Sequence, residues 1–453
     1  MIVVSHRGPV SFASDGHGGF TTRQGGGGLV RAFEPLLDGT TPGTWIAAAL
    51  SPDDVAAARA GVVRDHLGAD VRLVALDDEQ HRLHYDVVSN SILWFLVHDL
   101  FGLGTDPTFD DTAHEALRAY RDVNDAFAQV VCDTASDGEV VLVQDYQLAL
   151  VAGAVRAARP DLPIVHFTHT PFCGPHRWSV LPDAFGADVL ASMGSVGSGF
   201  HTERWANAFR ACVGAPAGGG TAFVAPLGVD AASLRADAAS AAVAQERQSL
   251  DELIGDRRVV VRADRIEPSK NIVRGLLAFD RLLEIAPSQR ERVVFVAMLY
   301  ASRQSLPLYR EYAEEVHTTV QRVNERWSTR DWTPVLVDER DNFSRTLAGY
   351  QRADIVFVNP VKDGLNLVAK EAPIVNERDA VLCLSRDAGA FAELGDAALA
   401  LHPFDVHQQA AALHEALVMT PDARAARAAT LRARAAAVTP EAWLQTLLAH
   451  ARR

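Results

Sequence analysis

Short runs of apolar, often β-branched residues recur along this chain and end in turn or polar residues. The seven clearest runs occupy residues 1–5, 139–145, 164–169, 258–264, 292–299, 354–360 and 380–385. Uninterrupted apolar runs of this length are typical of strands that are buried on both faces of a sheet. Amphipathic segments such as 112–131 lie between them and are predicted to be helices. This alternation predicts an α/β fold in which helices cover parallel sheets.

The predicted strands fall into two groups, as expected for a chain of 453 residues, which is too long for one core. The first group ends near residue 225 and the second begins at 258. The segment 224–234 between them contains Pro226 and Gly228, and we interpret it as a hinge. Two Rossmann-like sheets are therefore predicted, with ligands bound in a cleft outside the carboxyl ends of the strands. A last helix is predicted to begin at Pro440.

The charge balance limits the partners that this chain can bind. The formal net charge is −14 and the sequence pI is about 5.6. An acidic protein is a poor non-specific ligand for nucleic acid or for anionic membranes, so neither is expected as a partner. If the substrates are anionic, they require a local basic pocket.

The cysteines and the first residues bear on the compartment. Four cysteines are scattered without any C-x-x-C pair, which predicts no zinc or thioredoxin site and fits a reducing, cytoplasmic environment. No apolar run reaches membrane-spanning length, and residues 1–5 are interpreted as a strand rather than as a signal peptide.

Lysine is almost absent, and its few occurrences are clustered. Of 43 basic residues only Lys270, Lys362 and Lys370 are lysines. A GC-rich genome would explain the general preference for arginine. It does not explain why the exceptions fall in two short segments, 265–271 and 359–373.

Polar residues follow the predicted strands of the first group. Arg7 ends the first strand, and Asp145 and His169 end two later ones. Each of the last two could equally be a cap or a structural group. The glycine loop 24–29 leads into a helix near Leu29, where backbone amides can approach a phosphate, although four glycines could also form a flexible surface loop.

The second group carries strand-end charges as well. Arg265, Lys270 and Arg303 follow predicted strands, and each could alone be a solvated loop charge. Asp363 and Gly364 form a predicted turn before a helix that starts at about residue 366. The first amides of that helix would form an anion site, and Glu371 could accept from sugar hydroxyls or simply complement the helix dipole.

Together these groups predict a cationic clamp around a departing nucleotide diphosphate. The chain contains no Asp-x-Asp pair, so no metal site of the usual carboxylate kind is predicted, and no cofactor is expected.

The motifs resemble those of the trehalose-6-phosphate synthases of glycosyltransferase family 20. The resemblance is carried by 363–371 ("DGLNLVAKE") and by Arg265, Ser269, Lys270 and Asn271 in "RIEPSKN", and it extends from 3–7 ("VVSHR") to the last helix. It implies a GT-B fold of two Rossmann-like domains facing across a cleft. Residues 1–226 would form the acceptor domain and 227–439 the nucleotide-sugar domain, with the C-terminal helix 440–453 crossing back to the first.

The resemblance also implies roles for individual residues. The acceptor site would contain Arg7, Tyr85, Trp94, Asp145 and Arg303. The donor site would contain Gly27, Gly28, Arg265, Lys270, Phe343, Asp363, Asn366, Leu367, Val368 and Glu371, with Phe343 near the base. The residues closest to the chemistry would be His169, which contacts the donor sugar, together with Asp145, Arg265 and Lys270.

The implied reaction is a retaining glucosyl transfer from a nucleotide sugar to glucose 6-phosphate. Attack occurs on the face that the leaving group departs from, without a covalent carboxylate intermediate, and the leaving phosphate takes the acceptor's proton. The partners are thus small molecules, a nucleotide sugar and a sugar phosphate, and a homo-oligomer is left open.

Three departures from the family pattern leave alternatives open. Gln144 and Gln147 stand where the family has histidine, and a second tryptophan after Trp45 is missing. Residues 371–380 ("EAPIVNERDA") resemble the validoxylamine-phosphate synthases, which use GDP-linked cyclitols. We therefore favour GDP-glucose as the donor, with UDP-glucose as the alternative donor. The alternatives are coupling of a GDP-cyclitol to an aminocyclitol phosphate and a non-catalytic sugar-phosphate sensor.

Overall fold

The computed structural model describes residues 1–17, 19–25, 28–33, 43–66, 69–102, 106–214 and 221–452 of the chain. The chain divides into two compact units. Unit 1 comprises Met1–Leu227 and Pro440–Arg453, and unit 2 comprises Gly228–Thr439. The change between units thus falls inside the segment that the sequence marks as a hinge. Within the described residues no helix combines the length and the apolar character needed to cross a bilayer.

The described part of unit 1 contains ten strands and most of the shorter helices. The strands are β1 (Ile2–Val4), β2 (Val10–Ser14), β3 (Phe20–Gln24), β4 (Gly43–Ala48), β5 (Arg64–His66), β6 (Ala69–Val74), β7 (Val141–Gln144), β8 (Ile164–Thr168), β9 (Gly197–Phe200) and β10 (Ala222–Val224). The α-helices are α1 (Gly28–Phe33), α2 (Pro52–Arg59), α3 (Asp78–His81), α4 (Trp94–Val97), α5 (Asp111–Thr134), α6 (Val151–Ala158), α7 (Pro175–Trp178), α8 (Asp183–Gly194) and α9 (Glu203–Val213). A π-helix spans Arg82–Leu93, and a 3₁₀ turn spans Tyr146–Leu148.

The main sheet of unit 1 has the order β10-β9-β8-β7-β1-β4-β6-β5. Its strands are parallel except for β5, which pairs antiparallel with β6 at the edge. β2 and β3 form a separate antiparallel hairpin. β1 pairs with β4 on one side and with β7 on the other, so the strand order reverses there. In parallel α/β sheets the carboxyl ends of strands at such a reversal are where ligands bind.

Unit 2 contains the second sheet and its covering helices. The α-helices are α10 (Ala231–Ala238), α11 (Ala241–Ile254), α12 (Ile272–Ile285), α13 (Pro307–Trp327), α14 (Phe343–Arg352), α15 (Val368–Val375), α16 (Phe391–Leu394), α17 (Val406–Val418) and α18 (Pro421–Ala435). The strands are β11 (Arg258–Arg265), β12 (Val293–Tyr300), β13 (Val335–Asp338), β14 (Ile355–Val358), β15 (Val381–Ser385) and β16 (Leu399–Leu401). Two 3₁₀ turns span Pro268–Lys270 and Pro287–Gln289.

The sheet of unit 2 is parallel throughout and has the order β13-β12-β11-β14-β15-β16. Its strand order reverses at β11, which pairs with β12 on one side and β14 on the other. The segments that follow β11 and β14 therefore emerge side by side, although they are far apart in the chain.

The last helix, α19 (Pro440–Ala451), belongs to unit 1. Its Trp443 is 1% exposed, and the indole meets the rings of Phe33 and Phe167 edge-on at 5.1 and 5.3 Å between centroids. Burial of one large aromatic side chain contributes roughly 2–3 kcal/mol, which is enough to hold a three-turn helix in place.

All seven predicted strands are present, but others had no apolar run to mark them. β9 reads Gly-Ser-Gly-Phe. A Cβ at Gly199 would lie 2.4 Å from Cδ2 of Phe167 and 2.7 Å from Cζ of Phe223, so this strand lacks a side chain where two rings pack. Its burial comes from its neighbours and not from its own composition.

Candidate active site

Asp145 lies directly after β7 in a strained backbone conformation. Its φ is 69°, a value that few residues other than glycine adopt. The turn is held on both sides, because the Asp145 amide donates to the Phe167 carbonyl (2.7 Å) and the carboxylate Oδ1 accepts from the His169 amide (3.1 Å). Strain maintained by surrounding bonds is common at functional sites. The ends of β7 and β8 are thus tied together.

His169 follows β8 and is held as a neutral ring. Burial, and to a smaller extent the neighbouring His166, lower its pKa to about 3. The ring Nε2 lies 3.0 Å from Oε1 of Gln144. Because that oxygen can only accept, Nε2 carries the proton and Nδ1 is an acceptor. Gln144, which departs from the family pattern, therefore selects the tautomer of the predicted sugar-contacting histidine.

Tyr85 lies in the π-helix that follows α3. Its ring stacks on that of His6 at 4.3 Å between centroids, with an interplanar angle of 11°. His6 is 4% exposed, and neither ring nitrogen has a hydrogen-bond partner among the described residues. Burial, together with the nearby His84, His81 and Arg7, holds its pKa well below the ordinary value. His6, the residue before Arg7, thus packs against Tyr85, the tyrosine that is predicted to bind phosphate.

Side chains of the π-helix itself maintain its wider turn. Ser89 Oγ, Asn90 Nδ2 and Ser91 Oγ donate to the carbonyls five residues earlier, at 2.8, 2.9 and 2.8 Å. Asn90 Oδ1 also accepts from the hydroxyl of Tyr146, which begins the turn after Asp145 (2.8 Å). π-Helical segments are rare and concentrate at functional sites. This one connects Tyr85 with the loop that carries Asp145.

The remaining predicted positions of unit 1 are less informative. Arg7 is exposed after β1, whereas Trp94 is 3% exposed at the start of α4, with its ring 4.2 Å from that of His98. Gly28 is the first residue of α1, and Gly27 lies outside the described residues. The predicted roles of these four residues stay predictions.

Two arginines of unit 2 share one buried carboxylate. Arg265 is the last residue of β11, and Arg303 follows β12. Their Nη1 atoms lie 3.0 and 3.3 Å from Oε1 of Glu267, which is 0% exposed. Burial alone would raise the pKa of Glu267, but the charges of Arg265, Arg303 and Lys270 outweigh it and lower the pKa to about 2. The predicted donor and acceptor arginines are therefore joined by an anion that the sequence did not single out.

Lys270 forms an ion pair with Asp363. Its Nζ donates to Oδ2 of Asp363 at 2.6 Å, although 93 residues separate the two. Burial lowers the pKa of Lys270, but Asp363 and Asp264 outweigh that effect and raise it, so the ammonium stays charged. The order β12-β11-β14 brings the two segments together.

The turn before α15 is built by its own polar side chains. Asn366 has a φ of 77°, and its Nδ2 donates to Asp363 Oδ2 (3.2 Å) while its Oδ1 accepts from the Ala369 amide (3.2 Å). α15 begins at Val368, two residues after the predicted start, with Leu367 as N-cap residue. Glu371 is half-buried in the first turn. Phe343 is half-buried at the start of α14.

Unit 2 thus brings Arg265, Lys270, Arg303 and Asp363 into one charged cluster at the carboxyl ends of β11, β12 and β14. Glu267 and Asp264 complete it and were missed. The sequence did contain a signal for these two residues, because each arginine in "RADRIE" (262–267) is followed two positions later by an acidic residue. Exposed carboxylates at this strand end would weaken a cationic site, so acidic residues here are better explained as buried partners of the arginines. Among the described residues no group of three or more His, Cys, Asp or Glu side chains is arranged to hold a metal ion.

Comparisons with known proteins identify the family of this chain. The sequence model of glycosyltransferase family 20 matches residues 1–217 and 219–453. The bifunctional trehalose-6-phosphate synthase/phosphatase of Thermoproteus tenax is 32% identical over 96% of this chain and 61% of its own length. The validamine 7-phosphate valienyltransferase of Streptomyces hygroscopicus subsp. jinggangensis is 30% identical over 89% of this chain and 84% of its own. The chain spans only 47% to 61% of the length of three of the curated relatives that it matches.

A solved structure extends the match to three dimensions. The α,α-trehalose-phosphate synthase (UDP-forming) of Burkholderia vietnamiensis matches with a TM-score of 0.87 and 28% identity, covering 100% of this chain and 99% of that one. The predicted α/β fold of the GT-B class is confirmed.

Proposed function

We propose, since this chain belongs to glycosyltransferase family 20, that it transfers glucose from a nucleotide-glucose to glucose 6-phosphate with retention and makes trehalose 6-phosphate. The observation that supports this most is the charged cluster of unit 2. Arg265, Lys270 and Arg303 stand at adjacent strand ends beside the N-terminus of α15. A diphosphate that gains charge as it leaves is stabilised by fixed cations and by backbone amides at a helix start.

The residues divide the work as follows. Lys270 and Arg265 bind the donor diphosphate together with the amides of Leu367 and Val368, while Glu371 accepts from the ribose hydroxyls and Phe343 lies near the base. Asp363 binds the glucosyl group. These are the donor interactions that would become stronger as the bond to the leaving group breaks.

The acceptor is held by a second set of residues. Arg7, Tyr85 and Arg303 bind its phosphate, Trp94 lines its pocket and Asp145 accepts from its hydroxyls. His169 is neutral, and its Nδ1 is free to accept from a hydroxyl of the donor sugar. With a pKa of about 3 the ring is only a weak base, so it is a poor acceptor for the acceptor's proton. We assign that proton to the departing phosphate.

For the base of the donor we retain GDP-glucose, on the ground of residues 371–380. Relatives from Dictyostelium discoideum and Arabidopsis thaliana are named as UDP-forming enzymes, so the test must include both nucleotides.

A direct assay tests this proposal. The purified chain is incubated with GDP-glucose or UDP-glucose and glucose 6-phosphate, and glucose without phosphate serves as the control acceptor. We expect nucleotide release that depends on glucose 6-phosphate and a product whose two anomeric protons show α,α linkage by NMR. No release from either donor contradicts the proposal.

The valienyltransferase relative supports a second candidate, the coupling of a GDP-cyclitol to an aminocyclitol phosphate. Product from that pair, with both glucose donors inert, would favour it. Tight binding of sugar phosphate without turnover of any pair would favour a sensor.

A further inference from the structure

We propose that Glu267 is a positioning residue that orders the donor arginine Arg265 and the acceptor arginine Arg303 together, so that the two phosphate sites form as one unit. This inference rests on the proposed function for the identity of the two ligands. Glu267 touches no reacting atom in this scheme and acts only through the two guanidinium groups.

The geometry of one oxygen atom carries the argument. Oε1 of Glu267 accepts from Arg265 Nη1 (3.0 Å), Arg303 Nη1 (3.3 Å) and Ser302 Oγ (2.7 Å). Oε2 is buried and has no partner among the described residues. Burying a carboxylate costs free energy that is recovered best when both oxygens are satisfied. A buried carboxylate whose only role was to stabilise the fold would be expected to have both of its oxygens hydrogen-bonded.

The charges explain what this oxygen does. The two Nη1 atoms lie no more than about 6 Å apart, and like charges at that distance repel unless an anion lies between them. Glu267 is that anion, and it remains ionised at any working pH. Its negative charge offsets one of the two guanidinium charges, so the two arginines can lie close to each other. One net positive charge remains to attract the incoming phosphates.

The exposure of the two arginines differs in a way that fits this role. The Arg265 side chain is 44% exposed, whereas that of Arg303 is 9% exposed and also donates to the Tyr309 hydroxyl (2.8 Å). Arg303 is thus held from two sides, and Glu267 links this fixed position to the more exposed Arg265. Ordering a long side chain before the ligand arrives reduces the entropy lost on binding.

The backbone extends the link to the lysine. The Lys270 amide donates to the Glu267 carbonyl at 3.0 Å, so the same short segment carries the third cation. The Glu267 carboxylate also helps to raise the pKa of Lys270, so loss of its charge acts on all three cations. This predicts that its loss weakens donor and acceptor binding at the same time.

The test compares Glu267→Gln, which keeps the shape and removes the charge, with three other variants. Glu267→Gln should raise KM about 10-fold or more for both substrates. Glu267→Asp keeps the charge and should recover part of this loss. Ser302→Ala removes a neutral donor from the same oxygen and should leave both KM values close to those of the wild type.

Asp354→Asn is the matched control for a purely structural role. The side chain of Asp354 is 5% exposed, and its carboxylate lies 3.3, 3.5 and 3.6 Å from the guanidinium groups of Arg352, Arg378 and Arg424. It lies before β14, at the opposite end of that strand from the cluster. Asp354→Asn should lower Tm and leave KM unchanged. If Glu267→Gln does the same, the inference is overturned.

The double variant Glu267→Gln with Arg303→Ala adds a readout that a stability defect would not move. Its acceptor KM should be no higher than that of Arg303→Ala alone, because Glu267 acts on the acceptor only through Arg303. Additive losses would contradict the proposal.

The experiments distinguish a failure of this inference from a failure of the proposed function. A wild type that turns over its substrates, with normal KM values in Glu267→Gln, overturns only the inference. If the wild type transfers glucose from neither nucleotide, calorimetric titration with GDP, UDP and inorganic phosphate replaces the assay. Weaker binding of both anion classes by Glu267→Gln then supports the inference. Unchanged binding, or a wild type that binds none of them, overturns it.

Discussion

At the scale of single residues, the structure shows why lysine is retained at a few positions. Lys270 Nζ donates to Asp363 at 2.6 Å, and Lys370 Nζ lies 2.9 Å from both carboxylate oxygens of Glu393. Lys362 is 6% exposed. Lysine ends in one compact charge, whereas arginine carries a wide planar fork that needs several acceptors in a plane. Narrow interior positions with a single carboxylate therefore favour lysine.

The two pairs allow a residue-scale prediction. Lys270→Ala removes a diphosphate ligand and the ion pair with Asp363, so we expect kcat to fall by about 10²–10³-fold together with a loss of stability. Lys370→Met breaks the other buried pair and is the matched control, with a comparable loss of Tm and a much smaller change in kcat. Steady-state kinetics and thermal unfolding of both variants measure this. Equal effects on kcat would show that Lys270 is only structural.

At the scale of elements, the π-helix Arg82–Leu93 connects parts of unit 1 that are distant in the chain. Its three consecutive side-chain bonds, from Ser89, Asn90 and Ser91, run to the carbonyls five residues earlier and follow the i to i+5 spacing of the π-helix. Asn90 is 0% exposed and joins the Tyr85 carbonyl to the Tyr146 hydroxyl. The position of Tyr85 therefore depends on this asparagine.

Asn90→Ala tests that dependence. It removes the side-chain bonds to the Tyr85 carbonyl and from the Tyr146 hydroxyl, and we expect a loss of about 2–4 kcal/mol in the free energy of unfolding. The acceptor KM should rise while the donor KM changes little, because Tyr85 belongs to the acceptor set. Ser91→Ala, which removes one half-buried bond, should cost less and leave both KM values unchanged. A stability loss in Asn90→Ala with a normal acceptor KM would separate the π-helix from acceptor binding.

At the scale of the whole molecule, the described histidines whose pKa is lowered all lie in unit 1. They are His6, His81, His84, His166 and His169. Burial is the main cause in every case, and the pKa values of His84 and His166 fall to about 4. These histidine rings therefore favour the neutral form in the folded protein. In unit 2 the large depressed pKa belongs to a carboxylate, Glu267.

Acid should therefore weaken unit 1 first. A histidine whose pKa is lower in the folded state contributes its full stability above about pH 6.5 and loses it as the pH falls towards the folded value, because the unfolded state binds the proton. Each such ring costs up to about 1.4 kcal/mol per pH unit in that window. Glu267 has the same sign, because its pKa is also lower in the folded state, but it loses its contribution only as the pH falls from about 4.5 towards about 2.

Hydrogen exchange measured at pH 7 and pH 5 provides the readout. Peptides from unit 1 should lose protection at pH 5, while those from unit 2 keep it. His84→Gln should reduce the pH dependence of unit 1 by about one proton, whereas His17→Gln, at an exposed position of the same unit, should not. Equal loss of protection in both units would contradict this account.

Local patterns in the sequence determined much of this protein. The seven apolar runs predicted seven buried strands, the break near 225 predicted two sheets, and Pro440 predicted the last helix. The motifs around Lys270 and 363–371 identified the family. These features are encoded by short-range periods and by residues with special backbone requirements, and both are readable within a few positions.

Only the tertiary structure decided which distant residues meet. β9 is a strand because Phe167 and Phe223 pack where Gly199 has no side chain. Lys270 pairs with Asp363, and Glu267 with Arg303, because β11 lies between β12 and β14. The order of parallel strands is set by how whole helices and sheet faces bury their apolar area, and no local run of residues records it.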